Sequence, residues 1–313
     1  MGIDLHNLNF LAHAKRNGVR FERTLAIGRQ SISIDDWELE AYRHFHRLPH
    51  LDRKSGSVDP SAGRSAYFEP LLKEWFGACT TDSVDASPYE GATLIHDMNE
   101  SWAKEGKVRQ LQGSYDAVLD FGCLEHVFDF PTAWRNCVDM CRVGGHILHA
   151  LPANNLSGHG FYQFSPELFF NLYKPQRGFE VRELVFAIKD DVLHWWRVAD
   201  PMGVKRRVNL RNSHEVYMLV LARKTRETTV LSPPQQSDYE QSAWLASSPD
   251  SLRQARLGLR QSVVRQLGRS GLVHVARRVR ARCRAILESG ISLPAPDYQR
   301  VVIRDLLGRS MPR

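Results

Sequence analysis

Long apolar runs are missing from this chain. Runs such as residues 117–119 and 216–222 fall far short of the roughly 20 residues that a bilayer-spanning helix needs, so they read as strands. Cysteine is scarce: five in 313 residues, with no CxxC pair. That excludes a disulfide framework and a paired-cysteine zinc motif, and it suits a reducing compartment. Cys137 and Cys141 stand four apart on an expected helix, and their reading is that of small core residues against a sheet. No residue is assigned to a metal. Residues 1–10 lack the basic start, apolar stretch and small-residue cleavage site of a secretory signal, which leads to the expectation of a cytoplasmic protein. Also absent are GxGxxG, the P-loop pattern and a GxSxG nucleophile elbow. Nicotinamide-dependent redox chemistry, nucleoside triphosphate hydrolysis and serine-nucleophile chemistry lose their usual sequence carriers with them.

Lysine is missing from residue 226 onward, where 15 arginines face 7 acidic residues. The net charge there is +8, against +7 for the whole chain, so residues 1–225 stand at −1. The basic character belongs to the tail. Residues 226–250, rich in Ser, Pro and Gln, read as a linker, and 251–313 as a basic helical tail with Leu and Val interleaved among arginines over 252–287. Such a tail suits packing on the domain, an anionic membrane surface at the inner face, or a partner protein. With no aromatic residue between 252 and 287, it suits nucleic acid less.

Overall composition is that of a globular protein, with 42% apolar and 25% charged residues. Over residues 1–225, short apolar segments alternate with segments of helical period. Strands are expected at 24–28, 81–84, 92–95, 115–121, 146–151, 179–187 and 215–222. Helices are expected at 35–45, 67–76, 131–141 and 166–173, the third stopped by Gly144 and Gly145. Alternation of this kind predicts βαβ units and an α/β fold, a Rossmann-like, doubly wound, mostly parallel sheet buried on both faces, followed by the C-terminal basic helical extension. Two insertions interrupt it. Residues 49–66 carry two prolines, two glycines and four serines, and 190–212 carry adjacent Trp195 and Trp196 and the basic run 205–207.

Ligands of such sheets sit outside the carboxyl ends of the strands, where strand order reverses. A nucleoside there needs a glycine turn for close backbone approach, a carboxylate for the ribose hydroxyls and an acceptor for the exocyclic amine of its base. Gly28 ends the first strand, Asp85 the second and Asp97 the third.

Two stretches carry a family resemblance. YDAVLDFGCLEHVFDFPTAWRNCVDMCRVGGHILHALP, residues 115–152, and TTDSVDASPYEGATLIHDMN, residues 80–99, resemble the class I S-adenosylmethionine-dependent methyltransferases. Within these, they are most similar to the small-molecule group related to the ubiquinone and sterol methyltransferases, with its LEHV turn. The resemblance covers about residues 20–225. It implies S-adenosyl-L-methionine as cofactor, with Asp85 and the adjoining Ala86 at the ribose and Asp97 and Met98 at the adenine. The backbone of Asp120, Phe121 and Gly122 would lie by the methionine portion. The chain departs from the family pattern at the first strand, where IGRQSISI offers a single glycine, Gly28, and Arg29 and Gln30 stand in place of small residues. Arg29 either pairs with the cofactor's carboxylate or fills its pocket.

Methyl transfer is an in-line displacement at an already activated carbon, so the protein mainly positions the nucleophile and takes its proton. His159, in the loop NNLSGHGFYQF, and His126, beside Glu125 in the LEHV turn, are the candidate bases. The function expected is methyl transfer to an oxygen or nitrogen of a small or sugar-like acceptor. The competing class is a non-catalytic binding or scaffold protein built on the same fold.

Overall fold

A computed structural model describes residues 2–51, 67–102, 110–210, 212–227, 233–240 and 298–307. Most of the expected linker and nearly all of the expected helical tail, together with residues 52–66 of the first insertion, fall outside them.

In chain order the elements are β1 (Gly2–Ile3), α1 (Leu5–Arg16), β2 (Arg23–Ile27), β3 (Ser31–Ile32), α2 (Asp36–His46) and α3 (Glu69–Leu71), which runs into a wider turn over Leu72–Phe76. Then follow β4 (Thr80–Asp85), β5 (Leu94–Ile95), β6 (Tyr115–Phe121), α4 (Phe130–Met140), β7 (Cys141–Asn154) and α5 (Pro166–Leu172). The last are β8 (Phe179–Ile188), β9 (His194–Val198), α6 (Pro201–Val204), β10 (Val216–Lys224), α7 (Ser237–Glu240), β11 (Tyr298–Val302) and α8 (Ile303–Leu307).

Nine strands form one sheet in the order β11-β9-β8-β10-β7-β6-β2-β4-β5. From β5 to β7 neighbours pair in parallel, and from β7 to β11 they pair antiparallel. Seven of the nine strands still point the same way, β9 and β10 being the reversed pair. The doubly wound α/β expectation therefore holds, with an antiparallel half that strand patterning alone did not reveal. Chain order turns back between β2 and β6, the switch point at which open α/β sheets bind ligands.

Alternation along the strands sends side chains into two separate cores. Leu25, Ile27, Val118 and Ile147 join one with Trp134, Cys137 and Phe169, while Ala26, Ala117, Leu119 and Leu148 join the other with Phe10, Leu11 and Trp75. Both faces are covered, so the strands carry little polar surface. Cys137 and Cys141 are fully buried free thiols, as core residues should be.

Helix α1 had no signal in the pattern, because nine of its residues, including His6, Asn7, Asn9 and His13, are buried. Its start and both buried histidines have partners. The Asp4 carboxylate caps its start by accepting from the Asn7 amide at 2.8 Å. His6 accepts from the Trp195 indole N–H at 3.0 Å and donates its other ring N–H to the Ile188 carbonyl at 3.0 Å. His13 lies 3.2 Å from Glu183, which also takes both arms of Arg197 at 2.7 and 2.9 Å.

Three sequence expectations are corrected. Helix α4 ends at Met140, and Gly144 and Gly145 lie inside β7 rather than at a helix stop. They sit where the pairing with β6 slips, Tyr115 opposing Cys141 but Ala117 opposing His146, so they accommodate a bulge. The 190–212 segment, read as an insertion, contributes a strand of the sheet: β9 buries Trp195 in one core and Trp196 in the other. Residues 298–307, expected within a helical tail, return as the edge strand β11 and α8, the latter packed against α1. Among the described residues no helix is long and apolar enough to cross a membrane.

Candidate functional site

Strands β6, β2, β4 and β5 are adjacent, so Gly28, Asp85, Asp97 and the 120–122 turn all arrive at one sheet edge. Gly28 has φ +74° and donates its amide to the Val84 carbonyl at 2.8 Å. A Cβ there would meet nothing closer than 3.4 Å. Glycine is thus required by the left-handed backbone and not by crowding.

Asp85, at the end of β4, is half-buried, and among the described residues no hydrogen bond or ion pair reaches its carboxylate. The backbone carbonyl of Asp85 accepts from His96 at 2.8 Å, which ties the β4 and β5 ends together. Ala86 is exposed beside it. Asp97 reaches the same edge with one oxygen engaged: its Oδ1 accepts the Asn99 amide at 2.9 Å and the Asn99 side-chain amide at 2.8 Å, and these bonds hold its carboxyl below the usual range. Met98 turns inward and is buried near Trp102. Asp97 Oδ1 thus caps the turn after β5, while its other carboxylate oxygen has no partner among the described residues and the side chain is exposed at the edge.

Arg29 does not reach a free carboxylate. Its Nε donates to Glu69 at 2.7 Å, its Nη1 donates to the Glu90 and Gly91 carbonyls at 2.6 and 3.2 Å, and its guanidinium stacks 3.8 Å from the Tyr67 ring centroid. It is a clamp from the turn after β2 to the turn after β4.

Asp120 and Phe121 are buried, Asp120 completely. Both oxygens of the Asp120 side chain are engaged within the protein. Oδ1 accepts the amides of Cys123 and Leu124 at 3.1 Å each, and Oδ2 sits 2.7 Å from His149 Nδ1. The far ring nitrogen of His149 is 2.6 Å from the Tyr173 hydroxyl. Burial drives the Tyr173 hydroxyl far up in pKa, so it keeps its proton and donates it to His149, which donates in turn to Asp120. Sequence offered no signal for this chain, since 24 and 29 residues separate its members. Its effect is local: two amides bound to Asp120, followed by Gly122 at φ +87°, shape the turn that presents Leu124–His126.

That turn carries a cluster. Glu125 is completely buried, and its Oε1 lies 3.7 Å from His126 Nε2 and 3.6 Å from His159 Nε2. Neither carboxylate oxygen has a hydrogen-bond partner among the described residues, and neither does His159 Nε2. Burial, reinforced by the nearby Asp120, pushes the Glu125 carboxyl up to about 8. His126 is lowered by burial and by His159. The loop delivering His159 is pinned by the Phe161 amide on the Glu125 carbonyl at 2.8 Å. Gly160 is what lets it approach, since a Cβ would come within 2.9 Å of that carbonyl and 3.0 Å of Glu125 Cγ. Exposed Phe128 and Phe161 meet edge to face at 6.1 Å beside the cluster. The structure thus brings His126 and His159 together, and it adds Glu125 between them.

Cys123 lies between the two halves of the site. Its Sγ lies 3.6 Å from the position a Gly28 Cβ would take, and its thiol is held well above its usual pKa by burial, with Asp120, Glu125 and Asp85 adding to the effect.

No protein-family model and no curated protein matches the chain. Solved structures do. The trans-methyltransferase CalH in complex with SAH is 15% identical over 70% of this chain and 55% of its own, so about half its length, with a TM-score of 0.33. The Burkholderia thailandensis 1,6-didemethyltoxoflavin-N1-methyltransferase, with bound 1,6-didemethyltoxoflavin and S-adenosylhomocysteine, is 12% identical over 71% of this chain and 79% of its own, TM-score 0.36. The [4+2]-cyclase SpnF is 11% identical over 70% and 81%, TM-score 0.37. Likeness at this level assigns no activity to this chain.

Proposed function

We propose that the chain is a methyltransferase that binds S-adenosyl-L-methionine at the β2–β4–β5 edge and methylates an oxygen or nitrogen of a small or sugar-like acceptor. The observation that carries this reading is Asp85, a half-buried carboxylate without a partner among the described residues, one strand from a left-handed Gly28 at the switch point of the sheet. A carboxylate so placed fits a ribose diol, which offers two hydroxyl donors. Ala86 adjoins the ribose, and Asp97, with one carboxylate oxygen unengaged among the described residues and Met98 next to it, would stand at the base.

When bound, the cofactor supplies a sulfonium methyl that needs no further activation. The chain's own residues then have two tasks. Gly122 and the turn behind it bring backbone to the methionine end, and the Glu125–His126–His159 cluster, with Phe128 and Phe161 beside it, orients the acceptor. His159 or His126 would take its proton.

Calorimetry with S-adenosylmethionine and its demethylated product tests the reading. Binding of either is expected, and Asp85→Ala should weaken it by about 1–3 kcal/mol through the lost ribose hydrogen bonds. Absence of binding by both at millimolar concentration would remove the enzyme reading. The Arg29 clamp over the same edge favours the alternative, a non-catalytic scaffold of this fold, and that result would select it.

A further inference from the structure

We infer that Glu125, His126 and His159 form a binding site for one divalent transition-metal ion, of the zinc or iron(II) class. The three donors come from two elements, the turn after β6 and the loop after β7, and lie within 4.8 Å of one another. Two of the separations, 3.6 and 3.7 Å from Glu125 Oε1 to the histidine nitrogens, approach the edge of a tetrahedron with metal bonds of about 2.1 Å, which is about 3.4 Å. The imidazole centroids are 5.3 Å apart. Two rings sharing one tetrahedral ion through such bonds place their centroids about 5 Å apart.

The second observation is Glu125 itself. A carboxylate with no exposed surface and no hydrogen-bond partner on either oxygen among the described residues is costly to bury. An ion between it and the two histidines satisfies it. Two imidazoles and one carboxylate are a donor set suited to zinc and non-haem iron, and three protein ligands leave a position open for water or an acceptor hydroxyl. The histidines would then act as ligands rather than as bases. Asp120, by holding the amides of Cys123 and Leu124, fixes the turn that carries two of the three donors.

The site rests on the cluster's geometry and not on the methyl-donor reading, and the test uses no donor. Zinc titration of the metal-stripped chain should show one tight equivalent. Glu125→Gln and His159→Ala should each weaken it by more than the roughly 10- to 100-fold that loss of a merely supporting partner costs. His44→Ala, which removes an exposed histidine near Glu40, should leave it unchanged. Cobalt(II) added to the unsubstituted chain should give the intense visible absorption of a four- or five-coordinate site, a readout needing no variant to fold. A cobalt spectrum of the free aqueous ion, or zinc binding that survives both Glu125→Gln and His159→Ala, would overturn the inference.

Discussion

Replacing Tyr173 by Phe removes one oxygen from a fully buried relay and asks whether that relay holds the site turn. The hydroxyl sits 2.6 Å from His149, whose other nitrogen is 2.7 Å from Asp120, and all three side chains are essentially inaccessible. Phe keeps the ring and its packing against Trp134 and Phe179, so the loss is a hydrogen bond plus an orphaned ring nitrogen. The cost should be about 2 kcal/mol, a fall in Tm of about 4–8 °C for a chain of this size. Asp120→Asn should cost more, about 3–5 kcal/mol. An Asn oxygen can still accept the two amides at 123 and 124, but its NH₂ then faces the His149 N–H. Turning the imidazole tautomer relieves that clash and lets Nε2 donate to the Tyr173 oxygen, but it takes away the acceptor of the Tyr173 hydroxyl proton in a fully buried place. Urea unfolding of both single variants and the double supplies a cycle, in which coupling of about 0.5–3 kcal/mol is expected for groups in one network. Additive effects, or a Tyr173→Phe chain as stable as the parent, would refute the relay.

Arg29→Ala should cost about 1–2 kcal/mol, since its partly exposed ion pair with Glu69 and its stack on Tyr67 are each worth about 1 kcal/mol or less. Because its guanidinium is committed to protein groups, the variant should lose less S-adenosylmethionine affinity in calorimetry than Asp85→Ala does, and a larger loss would return Arg29 to the cofactor. Burial alone would raise Glu183, but hydrogen bonds from His13 and Arg197 outweigh it and bring the carboxyl down to about 2, against an ordinary 4.5. Its folded value being depressed, it contributes about 3 kcal/mol above pH 4.5 that is lost as pH falls from 4.5 toward 2. Denaturant midpoints across that window should fall more steeply for the parent than for Glu183→Gln, and equal slopes would sink the assignment.

Fold class and strand ends were legible in the sequence for a physical reason. Strands covered on both faces read as short apolar runs, and a carboxylate or glycine that closes such a run must sit at the sheet edge, so Gly28, Asp85 and Asp97 could be placed together before any coordinates. The same logic placed His126 after β6 and His159 after β7. Pattern failed where polar residues are buried with partners far along the chain. Helix α1 looks too polar to be core until His6 meets Trp195 and His13 meets Glu183, and β9 and β11 look like insertion and tail until they pair with one another. Side-chain direction was out of reach as well. Whether Asp120 faces the ligand edge or His149, whether Met98 faces outward or the core, and which acceptors satisfy Arg29 are decided by contacts that only the packed sheet creates. Composition and periodicity follow from local burial. The Glu125–His126–His159 cluster depends on two loops 34 residues apart being pressed together at Gly160, a proximity that no local pattern encodes.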